Sequence, residues 1–183
     1  MNSPLLESLK AKDYEVLLMV DPIDEWVTQS LTEYKEKKLK SAEKGDLDVE
    51  KVDDEKKNEY SALLSFLKGK LEAKVKDVVV SNRLKDSISC LSGDDWGMSA
   101  YMEKILKASG QKTPEQKRVM EVNVSHPVMA KIKEIFETDT TNPILTDYSD
   151  LLFDVAVISE GGKAGRSVPG SPSSWGDLMA KAI

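Results

Sequence analysis

The chain has 183 residues, 40% hydrophobic and 32% charged, enough apolar material for one generous domain or one domain and part of another. Its 26 cationic against 32 acidic side chains leave a net charge of −6, which offers no electrostatic footprint for a phosphate backbone and argues against nucleic acid as a partner. A single cysteine and a single histidine exclude an internal disulfide and a thiolate or imidazole zinc site and suit a reducing cytosol. No stretch approaches the roughly 20 apolar residues of a membrane span.

The N-terminus has neither the basic nor the apolar region of a secretory signal. Ser3-Pro4 reads as an N-cap with proline at the first helical position, followed by a stripe of Leu5, Leu6 and Leu9. The chain is therefore expected to open inside folded structure, as a piece of something longer. The run at 14–20, Tyr-Glu-Val-Leu-Leu-Met-Val, is too short and too uniformly apolar for an amphipathic helix and predicts a strand buried on both faces of a parallel sheet. Asp21-Pro22 predicts a new helix with apolar positions Ile23, Trp26, Val27, Leu31 and Tyr34, and residues 38–42 a short return strand reached by a parallel crossover. From 43 to 58 almost every residue is charged or small. The domain boundary is placed here, near Gly45, dividing a small α/β unit (1–45) from a second unit (46–183).

The second unit begins with a helix carrying Tyr60, Leu63, Leu64, Leu67 and Leu71. A β-branched strand over 75–84, a tight turn at Lys85-Asp86 and a strand over 87–92 predict a hairpin, with a third strand at 120–124. Between them lies a helix over 95–109, closed by Gly110. Three helices follow. His126-Pro127 opens the first, with Val128, Met129, Ile132, Ile135 and Phe136 on its face. Asn142-Pro143 opens the second, which Gly161-Gly162 stops. Beyond a Gly/Ser/Pro-rich loop, the last carries Trp175, Leu178, Met179, Ala182 and Ile183. The fold class is α+β: a small α/β subdomain, then a mostly helical domain with a three-stranded sheet and a two-helix dimerisation element.

Catalytic chemistry finds little support. Gly161-Gly162-Lys163-Ala164-Gly165 follows a helix and lacks the spacing of a phosphate loop. His126 before a proline suits a cap, one histidine makes no triad, and Cys90 in a strand suits a small packed hydrophobe. No catalytic residue and no metal ligand is assigned. Two apolar surpluses carry more information. In the 95–109 helix, Met98, Met102, Ile105 and Leu106 share one face, widened by Trp96 and Tyr101, and methionine repacks readily against varied partners. In the 143–160 helix, apolar residues at 144, 145, 148, 151, 152, 153, 155, 157 and 158 exceed a one-sided stripe. Pairing with a second copy would cover them, through Leu151, Leu152, Val155, Ile158, Trp175, Leu178, Met179 and Ile183. Core packing within the same chain is the alternative for both surpluses, and a scaffold or dimerisation module without a binding face is the alternative function.

Several stretches in consistent order resemble one family. They are Ser3-Pro4-Leu5-Leu6-Glu7, Tyr14 to Met19, Asp21 to Trp26, Val78 to Leu84 with Asp86-Ser87, Met98 to Ile105, and Asn142-Pro143 with Leu151-Leu152-Phe153. Together they are similar to the end of the middle domain and the C-terminal dimerisation domain of the heat-shock protein 90 chaperones, in their bacterial form. The resemblance implies part of a dimeric, cytoplasmic, ATP-dependent folding chaperone whose ATP and magnesium site lies elsewhere, so that this chain is not itself an enzyme. It implies client binding at Trp26 and Gln29, and at Met98, Tyr101, Met102, Ile105 and Leu106, with unfolded or partly folded proteins as partners. Two departures stand out. The loop at 162–171 is long for the bacterial pattern, and the chain ends Ala180-Lys181-Ala182-Ile183 without the acidic pentapeptide of eukaryotic cytosolic members, so co-chaperones reading that tail are not expected.

Overall fold

Residues 3–21, 23–45, 52–94, 97, 99–111 and 116–162 are described in the computed structural model. A 3₁₀ turn, Pro4–Leu6, runs into α1, Glu7–Ala11. Then come α2 (Asp24–Ser30), the two-residue strands β1 (Glu33–Tyr34) and β2 (Lys37–Lys38), and α3 (Asp54–Lys70). Strands β3 (Val75–Val80) and β4 (Ser89–Ser92), helix α4 (Ala100–Ala108), strand β5 (Arg118–Val122), and helices α5 (Pro127–Thr138) and α6 (Ile144–Ser159) complete the described elements. Helices mixed with small sheets agree with an α+β class.

The larger sheet has the order β3-β5-β4, with β5 parallel to β3 and antiparallel to β4. Because side chains alternate across a strand, the register sorts them into rows. Val78, Met120 and Leu91 form one row and face the helices, where Leu63, Leu67 and Leu71 of the α3 end, Met129 and Ile132 of α5, and Leu145, Leu152 and Ala156 of α6 close the core. The adjoining row, Val79, Glu121 and Cys90, takes the opposite face, and the Pro4–Leu6 turn packs against β4. Leu67, Leu71, Met120, Val122, Met129 and Ala156 are wholly inaccessible to water, so the core is complete without a second chain.

Local sequence explains the helix ends. The Asp53 carboxylate accepts the Glu55 N–H at 3.2 Å, His126 Nδ1 the Val128 N–H at 3.2 Å, and Asn142 Oδ1 the Ile144 N–H at 3.1 Å. At the other end, Gly110 (φ 78°) donates to the Lys107 carbonyl and Gln111 to that of Leu106, the paired bonds of a Schellman cap. Gly161 (φ 72°) and Gly162 repeat that pattern on the carbonyls of Ile158 and Val157.

Four expectations are corrected. No hairpin joins β3 to β4, because β5 occupies the slot between them. The 81–88 connection is instead a built loop: Ser81 Oγ accepts the N–H groups of Arg83 and Leu84, and the Asn123 amide donates to the carbonyls of Lys85 and Ser87. Residues 14–20 form no strand and join no ladder of the described sheets, with Leu17 and Val20 each 68% exposed. A strand buried on both faces needs neighbours at both edges and cover on both sides, and no described element provides them. Residues 38–42 do not return as a parallel strand: β1 and β2 are an antiparallel hairpin. Its central residues Lys35 (φ 47°) and Glu36 (φ 63°) make a type I′ turn without the usual Asn-Gly signal. Finally, α2 stops at Ser30, leaving Leu31 beyond it and Tyr34 in the hairpin. The 175–183 helix lies outside the described residues.

Candidate functional site

α2 is a short helix started by a local loop, with the Asp24 carboxylate accepting the Asp21 N–H at 2.9 Å. Its apolar side chains face outward: Trp26 and Ile23 are each 63% exposed, and Trp26, Val27, Ser30 and Leu31 line a shallow, open hollow of about 480 Å³. Gln29 is exposed on the same helix. An indole left two-thirds in water beside other apolar side chains makes an exposed apolar patch.

In α4, Ser99 caps the first turn by accepting the Met102 N–H at 3.0 Å. Met102, Ile105 and Leu106, three and four residues apart, share one face and are each half-buried. The helix packs extensively against no other described element. Its flank carries Glu103 and Lys107, paired at 2.6 Å one turn apart. That bond, burial opposing it, and the nearby Arg118 charge hold the Glu103 carboxyl below its ordinary range. Met98, like Trp96 beside it, lies outside the described residues, as does the side chain of Tyr101.

In α6 the surplus divides. Leu152 is 2% exposed and belongs to its own chain's core, where its carbonyl accepts a 2.7 Å bond from Ser89 Oγ. Leu151 and Val155 are half-buried and Ile158 is 48% exposed, on a second stripe with Tyr148. Trp175, Leu178, Met179 and Ile183 lie outside the described residues.

Three polar assemblies escaped the sequence reading. Arg83, 2% exposed, sets its guanidinium on both carboxylate oxygens of Glu121 (2.9 and 2.8 Å), and Ser81 Oγ donates to Glu121 at 2.8 Å. The same guanidinium donates to the carbonyls of Ala42 and Gly45. Glu7 accepts the backbone N–H groups of Lys85, Asp86 and Ser87 and the Ser87 hydroxyl, fastening the N-terminal helix to the loop after β3. Burial pushes the Glu7 carboxyl up, but these bonds outweigh it and leave it below its ordinary value. Arg118 meets Glu160 at 2.7 Å and Glu43 and Glu103 at 3.4 Å each. The one signal available in the sequence was scarcity: of 26 cations only three are arginine, at 83, 118 and 166. A planar five-donor fork is used where several acceptors converge.

Cys90 is 2% exposed, and burial pushes its thiol well above the ordinary range, so it is packing and not a nucleophile. Among the described residues no cluster of His, Cys, Asp or Glu could hold a metal ion, and no helix is long and apolar enough to cross a membrane.

Comparison with known proteins agrees with the resemblance. Residues 1–166 match the family described as Hsp90 protein. The chaperone protein HtpG of Geobacter metallireducens is 48% identical over 168 residues, 87% of this chain and 26% of the relative. That of Geobacter sulfurreducens is 49% identical with the same coverage. HtpG of Mycolicibacterium paratuberculosis is 37% identical over 190 residues, covering all of this chain and 29% of the relative. The chain therefore belongs to the Hsp90 protein family, in its bacterial HtpG type. It spans about a quarter of the length of these relatives.

Proposed function

We propose that this chain is the part of a bacterial Hsp90-type chaperone that pairs two copies and offers part of the surface for unfolded clients. One observation carries the reading. The chain completes a dry core of its own, yet leaves Trp26 of α2 and Ile158 of α6 exposed and Met102, Ile105 and Leu106 of α4 and Leu151 and Val155 of α6 only half-buried. Pairing would use the α6 face together with Trp175, Leu178, Met179 and Ile183. Client contact would use Trp26, Gln29 and the α4 face, with Met98 and Tyr101 as further members. A methionine-bearing face accepts varied apolar shapes, which suits partners without one structure. ATP and magnesium are assigned to other parts of the protein, the chain itself to no catalysis, and the setting to the cytoplasm without nucleic acid or membrane.

The test uses two variants. Val155→Lys with Ile158→Lys should convert a dimer to a monomer in sedimentation at micromolar concentration while the circular-dichroism spectrum stays unchanged. Met102→Ser with Leu106→Ser should keep the dimer but lower the capacity to hold an unfolded model protein in solution. A native chain that sediments as a monomer removes the pairing role. A serine variant that melts the fold, or one that holds the unfolded protein as well as before, removes the client role from α4 and leaves a scaffold.

A further inference from the structure

Helix α4 is the least supported of the longer helices, and its one described ionic tie to the sheet runs through Glu103 to Arg118. Arg118 opens β5, is 12% exposed, and brings together carboxylates from three parts of the chain: Glu43 in the linker after the hairpin, Glu103 in α4, and Glu160 at the end of α6. The linker at that point is not slack. Gly45 donates to the Gly93 carbonyl and Gly93 to that of Glu43, each at 3.1 Å, in a short parallel bridge. Arg83 grips the Ala42 and Gly45 carbonyls from the sheet side. The linker is thus held by the body of the protein, and one guanidinium relates its position to α4.

We propose that Arg118 is a positioning residue for α4, making the placement of its apolar face depend on the course of the 42–45 linker. The proposal rests on reading that face as a client surface, but its mechanical part stands apart from it. Loss of the guanidinium removes the charge that offsets the mutual repulsion of three converging carboxylates, and among the described residues Lys107 is the other cation paired with Glu103. A shift of the linker that withdraws Glu43 alters the share of Arg118 available to Glu103, so α4 loosens or tightens with it. Lysine, a compact charge without the fork, could satisfy Glu160 but not all three partners.

Hydrogen exchange across 100–108 in the whole chain, without any client, reads the coupling. Glu43→Gln should change α4 exchange several-fold in the native background and leave it unaltered in an Arg118→Gln background, as contacts within one network are non-additive. Arg118→Lys should behave like Arg118→Gln in α4. An equal effect of Glu43→Gln in both backgrounds, no effect in the native one, or full restoration by lysine overturns the proposal. Should Arg118→Gln fail to fold, Glu43→Gln and Glu103→Gln in the native background decide: a non-additive pair supports the junction and an additive pair overturns it. The binding of an unfolded model protein is measured on the same variants. Coupled exchange with unchanged binding would keep the positioning role and remove the client reading alone.

Discussion

At the scale of single residues, charged side chains here work mainly by satisfying backbone. Glu7 takes three consecutive loop N–H groups, so its loss should cost about 1.5 kcal/mol, the lower end for bonds to a charged acceptor because the loop is half exposed. Its carboxyl ionises more readily folded than unfolded, so its contribution is whole above the ordinary value of 4.5 and disappears as the pH falls through the lower folded value. Urea titrations of Glu7→Gln at successive pH values should therefore show a shallower loss of stability in the acid range than the native chain. Arg83 has larger consequences. Replacing it with methionine strands a buried Glu121 carboxylate, an expected loss of about 3–5 kcal/mol by chemical denaturation. A paired Arg83→Met, Glu121→Met variant should recover part of that. None of these side chains was legible in the sequence, because a lone Arg after a strand or a Glu in a first turn gives no clue to a partner 38 or 78 positions away.

At the scale of elements, the glycines separate tolerated from required. Gly69 lies in the last turn of α3 with open space where a Cβ would go, so Gly69→Ala should stabilise the chain by about 0.5 kcal/mol in a thermal melt. Gly162 is the reverse: a Cβ there would sit 2.6 Å from a Val157 methyl, and Gly162→Ala should lower the melting temperature. Helices with a strong stripe were readable in sequence, as α3, α5 and α6 show, because their period and caps are local. Pairing was not. The Lys85-Asp86 turn looked like a hairpin since adjacency is the default, and no local pattern reveals that a strand 30 residues later takes the middle place. The β1–β2 turn went unseen because lysine and glutamate seldom adopt the positive φ it needs.

For the whole molecule, apolar excess was readable but its apportionment was not. The α6 sequence announced more hydrophobic surface than one side needs, yet only packing separates Leu152, consumed by the chain's own core, from Ile158, left outward. Changes that test the proposed pairing therefore belong at Val155 and Ile158, while Leu152→Lys should unfold the domain. The exposed run at 14–20 makes the complementary point. Its residues carry the composition of a buried strand, but burial is a property of neighbours, and none of the described elements covers it.

The position of Cys90 has a practical corollary. As the chain's sole thiol, buried on the face of β4 turned away from the helices, it can meet a maleimide or iodoacetamide only while the cover over that face is lifted. Labelling followed by mass spectrometry then times the uncovering of that face with no engineered probe. A second polypeptide seated across α6, which packs on β4, should lengthen that interval without touching the sulfur.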